Sequence, residues 1–163
     1  RDIKKATCFS LGKINKLVTQ LKNKGIIDEK YKLTIKGENF CLEHRPERAI
    51  ILAAGYGFRM IPINNQTNKA FIEVKGEILI ERLIRQLKEA GVENITIVVG
   101  YKKERFDYLV DKFKIKLVIN MEYAMTNSFY SLYCARNLIG NSYIVSCDLY
   151  FEENPFSKVE LYS

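Results

Sequence analysis

Gly55, Gly57, Arg59, Lys69 and Asp148 are the residues whose types could handle a phosphate, provided the fold brings them together. Four of the five fall within one stretch, AIILAAGYGFRMIPINNQTNKAF, from Ala49 to Phe71. Its first residues, Ala49 to Ala54, are small or apolar and predict a buried parallel strand that the glycines end. The loop after it runs to about a dozen residues, roughly twice the usual connection. Glycine lets backbone N–H groups approach an anion with no Cβ in the way. Arginine offers phosphate a planar fork, lysine a compact charge. Aspartate suits a hard divalent cation. Competing readings stand beside these: a tight turn with no ligand for the glycines, solvated loop charges for Arg59 and Lys69, and a turn cap for Asp148.

The elements around that stretch alternate. An extended piece is expected over Phe71–Val74, an amphipathic helix over Ile78–Ala90 with Gly91 as its stop, and a buried strand over Ile95–Val99. A helix over Lys103–Phe113, the strand KLVIN, a helix over Ser128–Leu138 capped by Asn127 or Ser128, and the strand YIVSCD complete the series. Alternation of this kind predicts an α/β fold with a mostly parallel, doubly wound sheet. Ligands of such sheets collect beyond the carboxyl ends of the strands. The residues delivered there are Gly55, Gly57 and Arg59, then Gly100 and Tyr101, then the loop NMEYAMTNS, then Asp148. Gly100 and Tyr101 would frame a base or form a plain turn. Asn127 and Ser128 would cap a helix or meet a ribose or an acceptor.

Charge divides the chain. Residues 1–48 hold 12 Lys/Arg against 6 Asp/Glu, whereas residues 49–163 hold 14 against 13. The expected boundary lies near EHRPERA, giving a small basic unit over 1–47 and a larger one over 48–163. Cys8, Cys41, Cys134 and Cys147 show no CxxC spacing and read as free thiols in a reducing cytoplasm. His44 is the sole histidine, which excludes His-rich metal sites and His-dependent triads. No run approaches the roughly 18 apolar residues of a membrane span, and no signal peptide is expected.

The glycine loop lacks the third glycine of a dinucleotide fingerprint and the GK[ST] of a P-loop. The longer string LAAGYGFRM…NKAFIEVKGEILIERLIRQLKEAGVENITIVVGY resembles the sugar-phosphate and choline-phosphate nucleotidylyltransferases, over residues 49 to about 156. The later stretches EYAMTNSFYSLYCA and YIVSCDLYFEENPF look most like the branch that transfers CMP to phosphocholine. The resemblance implies a Rossmann-like nucleotidyltransferase sheet and release of pyrophosphate from CTP, with a sugar 1-phosphate as the alternative acceptor. It implies nucleotide contacts from Leu52, Ala53, Ala54, Gly55, Gly57, Arg59, Lys69, Gly100 and Tyr101, with Arg59 and Lys69 catalytic and Asp148 holding Mg²⁺. The acceptor would meet Tyr123, Asn127, Ser128 and Tyr130, and Tyr150 is a further aromatic candidate for a quaternary ammonium. Two departures are visible: Phe58 stands where the family commonly has Ser or Thr, and Asn68 where it commonly has Pro. The family's fold, with a second acidic metal ligand, extends beyond the equivalent of Ser163, so the chain is expected to be the N-terminal portion of a transferase domain.

In the basic unit, Leu11, Ile14, Leu17, Val18 and Leu21 share one face of an expected helix between Ser10 and Gly25. Two short strands in GIIDEKYKLT and a helix in TIKGENFCLEH come next. The stretch LGKINKLVTQLKNKGIIDEKYKLTIKGENF resembles the C-terminal part of a winged helix, a partial α+β module. That implies DNA contact through Lys13, Lys16, Lys22 and Lys24, and with it the alternative of a non-catalytic regulatory protein whose second unit senses a nucleotide; a scaffold or homodimerising role is the other reading of the basic unit.

Overall fold

The computed structural model describes Thr7, residues 9–55 and residues 68–156. Gly57 and Arg59 lie outside the described residues, as does Phe58. The chain forms two compact units that part between Arg45 and Pro46.

In the first unit, helix α1 (Leu11–Asn23) starts where the Ser10 side chain accepts the Lys13 N–H. It ends in a Schellman motif, with Gly25 at φ 68° and the N–H groups of Gly25 and Ile26 returning to the carbonyls of Lys22 and Leu21. Helix α2 (Ile35–Glu43) is capped by Thr34, whose hydroxyl accepts from Gly37 N–H and donates to the Gly25 carbonyl at 2.6 Å. The two strands expected between these helices reduce to a single bridge, Ile27 to Leu33. Asp28 explains the difference: its Oδ1 takes the Lys32 N–H that a longer ladder would return to the Asp28 carbonyl, and it also holds the Lys30 N–H within the turn. Of the apolar face expected on α1, only Ile14 is buried.

The second unit is built on four parallel strands: β1 (Arg48–Ala53), β4 (Asn94–Val99), β5 (Lys116–Ile119) and β6 (Ser142–Ser146). Their spatial order is β5-β4-β1-β6. The chain therefore steps outward from β1 to β4 to β5, then returns to the other side of β1. That reversal opens a crevice between the carboxyl ends of β1 and β6, the topological position at which such sheets take ligands. A minor hairpin, β2 (Glu73–Val74) and β3 (Glu77–Ile78), turns through Lys75 and Gly76, both at positive φ.

One face of the sheet carries most of the core. Ala49, Ile51 and Ala53 of β1 and Ile95, Ile97 and Val99 of β4 pack there with Leu83, Ile84 and Leu87 of helix α3 (Leu79–Glu89) and Leu109 of helix α4 (Asp107–Phe113). The other face, with Ile50 and Val98, is covered by Ala135 and Leu132 at helix α5 (Ser128–Cys134). The expected helix over 103–113 begins as a 3-10 turn, Lys103–Phe106, and the one over 128–138 ends as one, Arg136–Leu138. No helix among the described residues is long and apolar enough to cross a membrane.

Candidate active site

A cavity of about 550 Å³ occupies the crevice between the ends of β1 and β6. Its floor is the β1 terminus, Leu52 to Gly55, and one wall is Ser146, Cys147 and Asp148. The opposite wall comes from the loop after β5, through Tyr123, Thr126, Asn127 and Ser128. Asn68 and Lys69 enter from the turn that ends the long connection.

Lys69 and Asp148 are 79 positions apart in sequence, and here the Lys69 amine lies 3.2 Å from Asp148 Oδ2. The other carboxylate oxygen accepts from the Ser146 hydroxyl at 2.5 Å. Burial raises the pKa of Asp148, but the Ser146 hydrogen bond, the Lys69 hydrogen bond and the Lys69 charge together outweigh it, leaving the group below its ordinary 3.8. Cys147, almost wholly buried, is pushed up to about 12 by burial and then by the Asp148 charge. It is a wall rather than a nucleophile.

The segment after Asp148 is fastened from α3. Arg82 donates through Nε to the Phe151 carbonyl at 3.0 Å and through its terminal nitrogen to the Glu152 carbonyl at 2.7 Å. Gln86 donates to the same Phe151 carbonyl, and Asn154 returns a bond to the Gln86 carbonyl at 2.8 Å. Asp148 is thus held between a strand end and a stapled loop. The loop after β5 has its own hub, Asn120, 1 % exposed. Its amide donates to Thr126 and Ser131 and its oxygen accepts the Glu122 N–H.

Gly100 and Tyr101 do not border the cavity but shape it from behind. A Cβ on Gly100 would come within 2.6 Å of the Tyr123 Cβ and 2.8 Å of the Ala54 carbonyl. The missing side chain therefore lets the loop after β5 close on the end of β1. Tyr101 donates its N–H to the Ala54 carbonyl at 3.2 Å, and its own carbonyl accepts the Asn68 amide at 3.2 Å. Asn127 borders the cavity, with its side chain accepting the Tyr130 N–H as a helix cap. Tyr130 stands outside the cavity lining, its hydroxyl donating to Glu122 at 3.0 Å. The Tyr150 ring is also outside, and its face is taken by Arg82 at 4.9 Å. Tyr123 is the tyrosine among the described residues that lines the cavity.

Asn68, Ser146, Asn120 and Arg82 are site-building residues to which the sequence alone assigned no role. Asn68 carried the clearest signal, because an Asx residue just before a short turn is a cap. The others depend on partners that spacing does not reveal.

Residues 49–156 match the model of the MobA-like NTP transferase domain. The chain is 48% identical over 109 residues to the choline-phosphate cytidylyltransferase of Streptococcus pneumoniae, covering 67% of this chain and 48% of that protein. It is 42% identical over 118 residues to the 2-aminoethylphosphonate cytidylyltransferase of Lancefieldella rimae, covering 71% of this chain and 46% of that one. Among solved structures, the CTP:phosphocholine cytidylyltransferase of Streptococcus pneumoniae superimposes with a TM-score of 0.65 at 47% identity, over 68% of this chain and 49% of that one. The chain thus spans about half the length of the curated relatives it matches. With the sheet, the crevice and the match over residues 49–156 in agreement, the chain belongs to the MobA-like NTP transferase family.

Proposed function

We propose that the second unit belongs to an Mg²⁺-dependent cytidylyltransferase that transfers CMP from CTP to phosphocholine, giving CDP-choline and pyrophosphate. The observation that carries this reading is the meeting of Lys69 and Asp148 in one cavity, at the reversal of strand order and next to Gly55. Phosphoryl transfer of this kind needs anions held in line and charge neutralised as it moves to the leaving group. The Gly55 end of β1 receives the triphosphate by backbone N–H groups, with Gly57 and Arg59 of the adjoining loop taking its outer phosphates. Lys69 neutralises the α-phosphate or the acceptor phosphate. Tyr123 and the start of α5 meet the acceptor.

The donor set suits Mg²⁺, which commonly takes one or two carboxylates with the rest from phosphate and water. Asp148 would hold it, and the ion would supply charge neutralisation on the phosphates. Cys41, Cys134 and Cys147 are free thiols, which accords with a cytoplasmic enzyme drawing on CTP.

Incubation of the full-length protein with CTP, Mg²⁺ and phosphocholine is expected to release pyrophosphate. Release with 2-aminoethylphosphonate or a sugar 1-phosphate but not with phosphocholine would reassign the acceptor. Absence of release with all of them, together with no thermal stabilisation by CTP and Mg²⁺, would overturn the transferase reading.

A further inference from the structure

Asn68 borders the cavity while being 1 % exposed, and its side-chain amide is used at both ends. Oδ1 accepts the Ala70 N–H at 3.1 Å and closes the turn Lys69–Phe71, which presents the lysine. Nδ2 donates to the Tyr101 carbonyl at 3.2 Å, 33 positions away, just past the end of β4. Tyr101 in turn is bonded to Ala54 at the end of β1. A continuous chain of hydrogen bonds thus runs from the floor of the cavity, through the loop after β4, to the turn carrying Lys69. A buried amide is costly unless satisfied, and satisfied at both ends it fixes two segments against each other.

The backbone at Asn68 sits at φ −60° and ψ 138°. Proline adopts that conformation without strain. The position therefore separates into three properties that substitution can remove one at a time: the preset backbone, the cap on Ala70 and the tie to Tyr101.

We propose that Asn68 is the positioning residue for Lys69. Its oxygen aims the amine at the phosphate site, and its nitrogen sets the spacing between the lysine turn and the loop after β4 at Tyr101, which braces the β1 end of the cavity floor. The inference rests on the transferase reading of Lys69, so its test includes a readout that needs no turnover.

Asn68→Ser keeps a short cap acceptor but cannot reach Tyr101. Asn68→Pro keeps the backbone and loses both bonds. Asn68→Ala keeps none of the three. With one hydrogen bond worth about 1 kcal/mol, Asn68→Ser is expected to raise the KM for CTP about fivefold with kcat within about twofold of wild type. Asn68→Ala is expected to show the same rise in KM and a kcat lower by about tenfold, with Asn68→Pro recovering most of that kcat.

The second readout is the rate at which the Lys69 amine is acylated by a water-soluble reagent, followed by peptide mass spectrometry. An amine released from Asp148 should react about threefold faster in Asn68→Ala than in wild type, and at near wild-type rate in Asn68→Ser. Equal kinetic parameters for the Ser and Ala variants, or one acylation rate throughout, would overturn the proposal. Should the full-length wild type turn over no acceptor, the transferase reading fails, while the order of acylation rates still decides the role of Asn68.

Discussion

Asp148 keeps its charge against burial because both of its oxygens are engaged, one by Ser146 and one by Lys69. The pair is only partly screened from water, so its worth lies less in stability than in placement. A lysine and an aspartate that neutralise each other at the cavity wall are also the two groups an incoming triphosphate and its cation would separate. Replacing Asp148 by Asn retains size and the Ser146 bond but removes the charge. The expected outcome is loss of pyrophosphate release with circular dichroism and melting close to wild type. Turnover at the wild-type rate in that variant would remove Asp148 from any metal site. Cys147 supplies a control within the same wall: with its thiol pushed up to about 12, it should resist alkylation at pH 8 while the protein is folded.

Helices α3 and α4 are joined by a polar cluster centred on Glu81, which is 8 % exposed. Lys112 donates to both Glu81 oxygens, at 2.8 and 2.9 Å, and the Tyr108 hydroxyl donates at 2.9 Å. Burial, then the Glu81 hydrogen bond and charge, push the Tyr108 phenol up to about 12. A raised folded value means that this contribution to stability is fully present below the unfolded tyrosine value, about 10, and is lost as pH rises through about 12. Glu81→Gln should bring the Tyr108 titration back toward its ordinary value, read by ultraviolet difference absorption, and cost about 1–2 kcal/mol of stability. An unchanged titration would show that the contact does not govern the phenol. The sheet beneath these helices was legible because its strands are nearly continuous apolar runs and its helices carry one apolar face each. The ends of β1 and β6 were legible for a related reason: each largely apolar run gives way abruptly to glycine or to a charged residue, Gly55 in one case and Asp148 in the other. Asn68, Ser146 and Arg82 were not, because their roles consist of contacts with Tyr101, Asp148 and Phe151, and a sequence does not display those pairings. The tyrosines failed differently. With ten in the chain, composition could not distinguish Tyr123 in the cavity from Tyr150 under the Arg82 guanidinium. The short wing was overread because the Asp28 side chain takes the Lys32 N–H, the donor that alternation alone assigns to a ladder.

Charge in the whole chain is concentrated outside the unit that holds the cavity. Residues 1–48 carry 12 basic against 6 acidic side chains, while the unit with the cavity is close to balanced. Nucleic acid would be attracted to the first unit by charge alone, yet two of the four lysines expected to face DNA are already engaged. Lys22 is paired with Glu29 at 2.7 Å, and Lys13 lies over the Phe9 ring at 3.8 Å. Lys16 and Lys24 are exposed, as are Lys30, Lys32 and Lys36 on the segments beyond α1. A surface of this kind can neutralise a few phosphates without reading bases. The expected outcome is weak duplex binding whose affinity falls with salt by a log–log slope of roughly −3, the value for about three released counterions. Fluorescence anisotropy with two unrelated duplexes across a salt series measures both quantities. A preference above about tenfold for one duplex would instead assign sequence recognition to α1, since each good base contact is worth about 1–3 kcal/mol. No binding at the lowest salt would leave the first unit with a scaffold or dimerising role, because even its surplus charge would then fail to act on a polyanion.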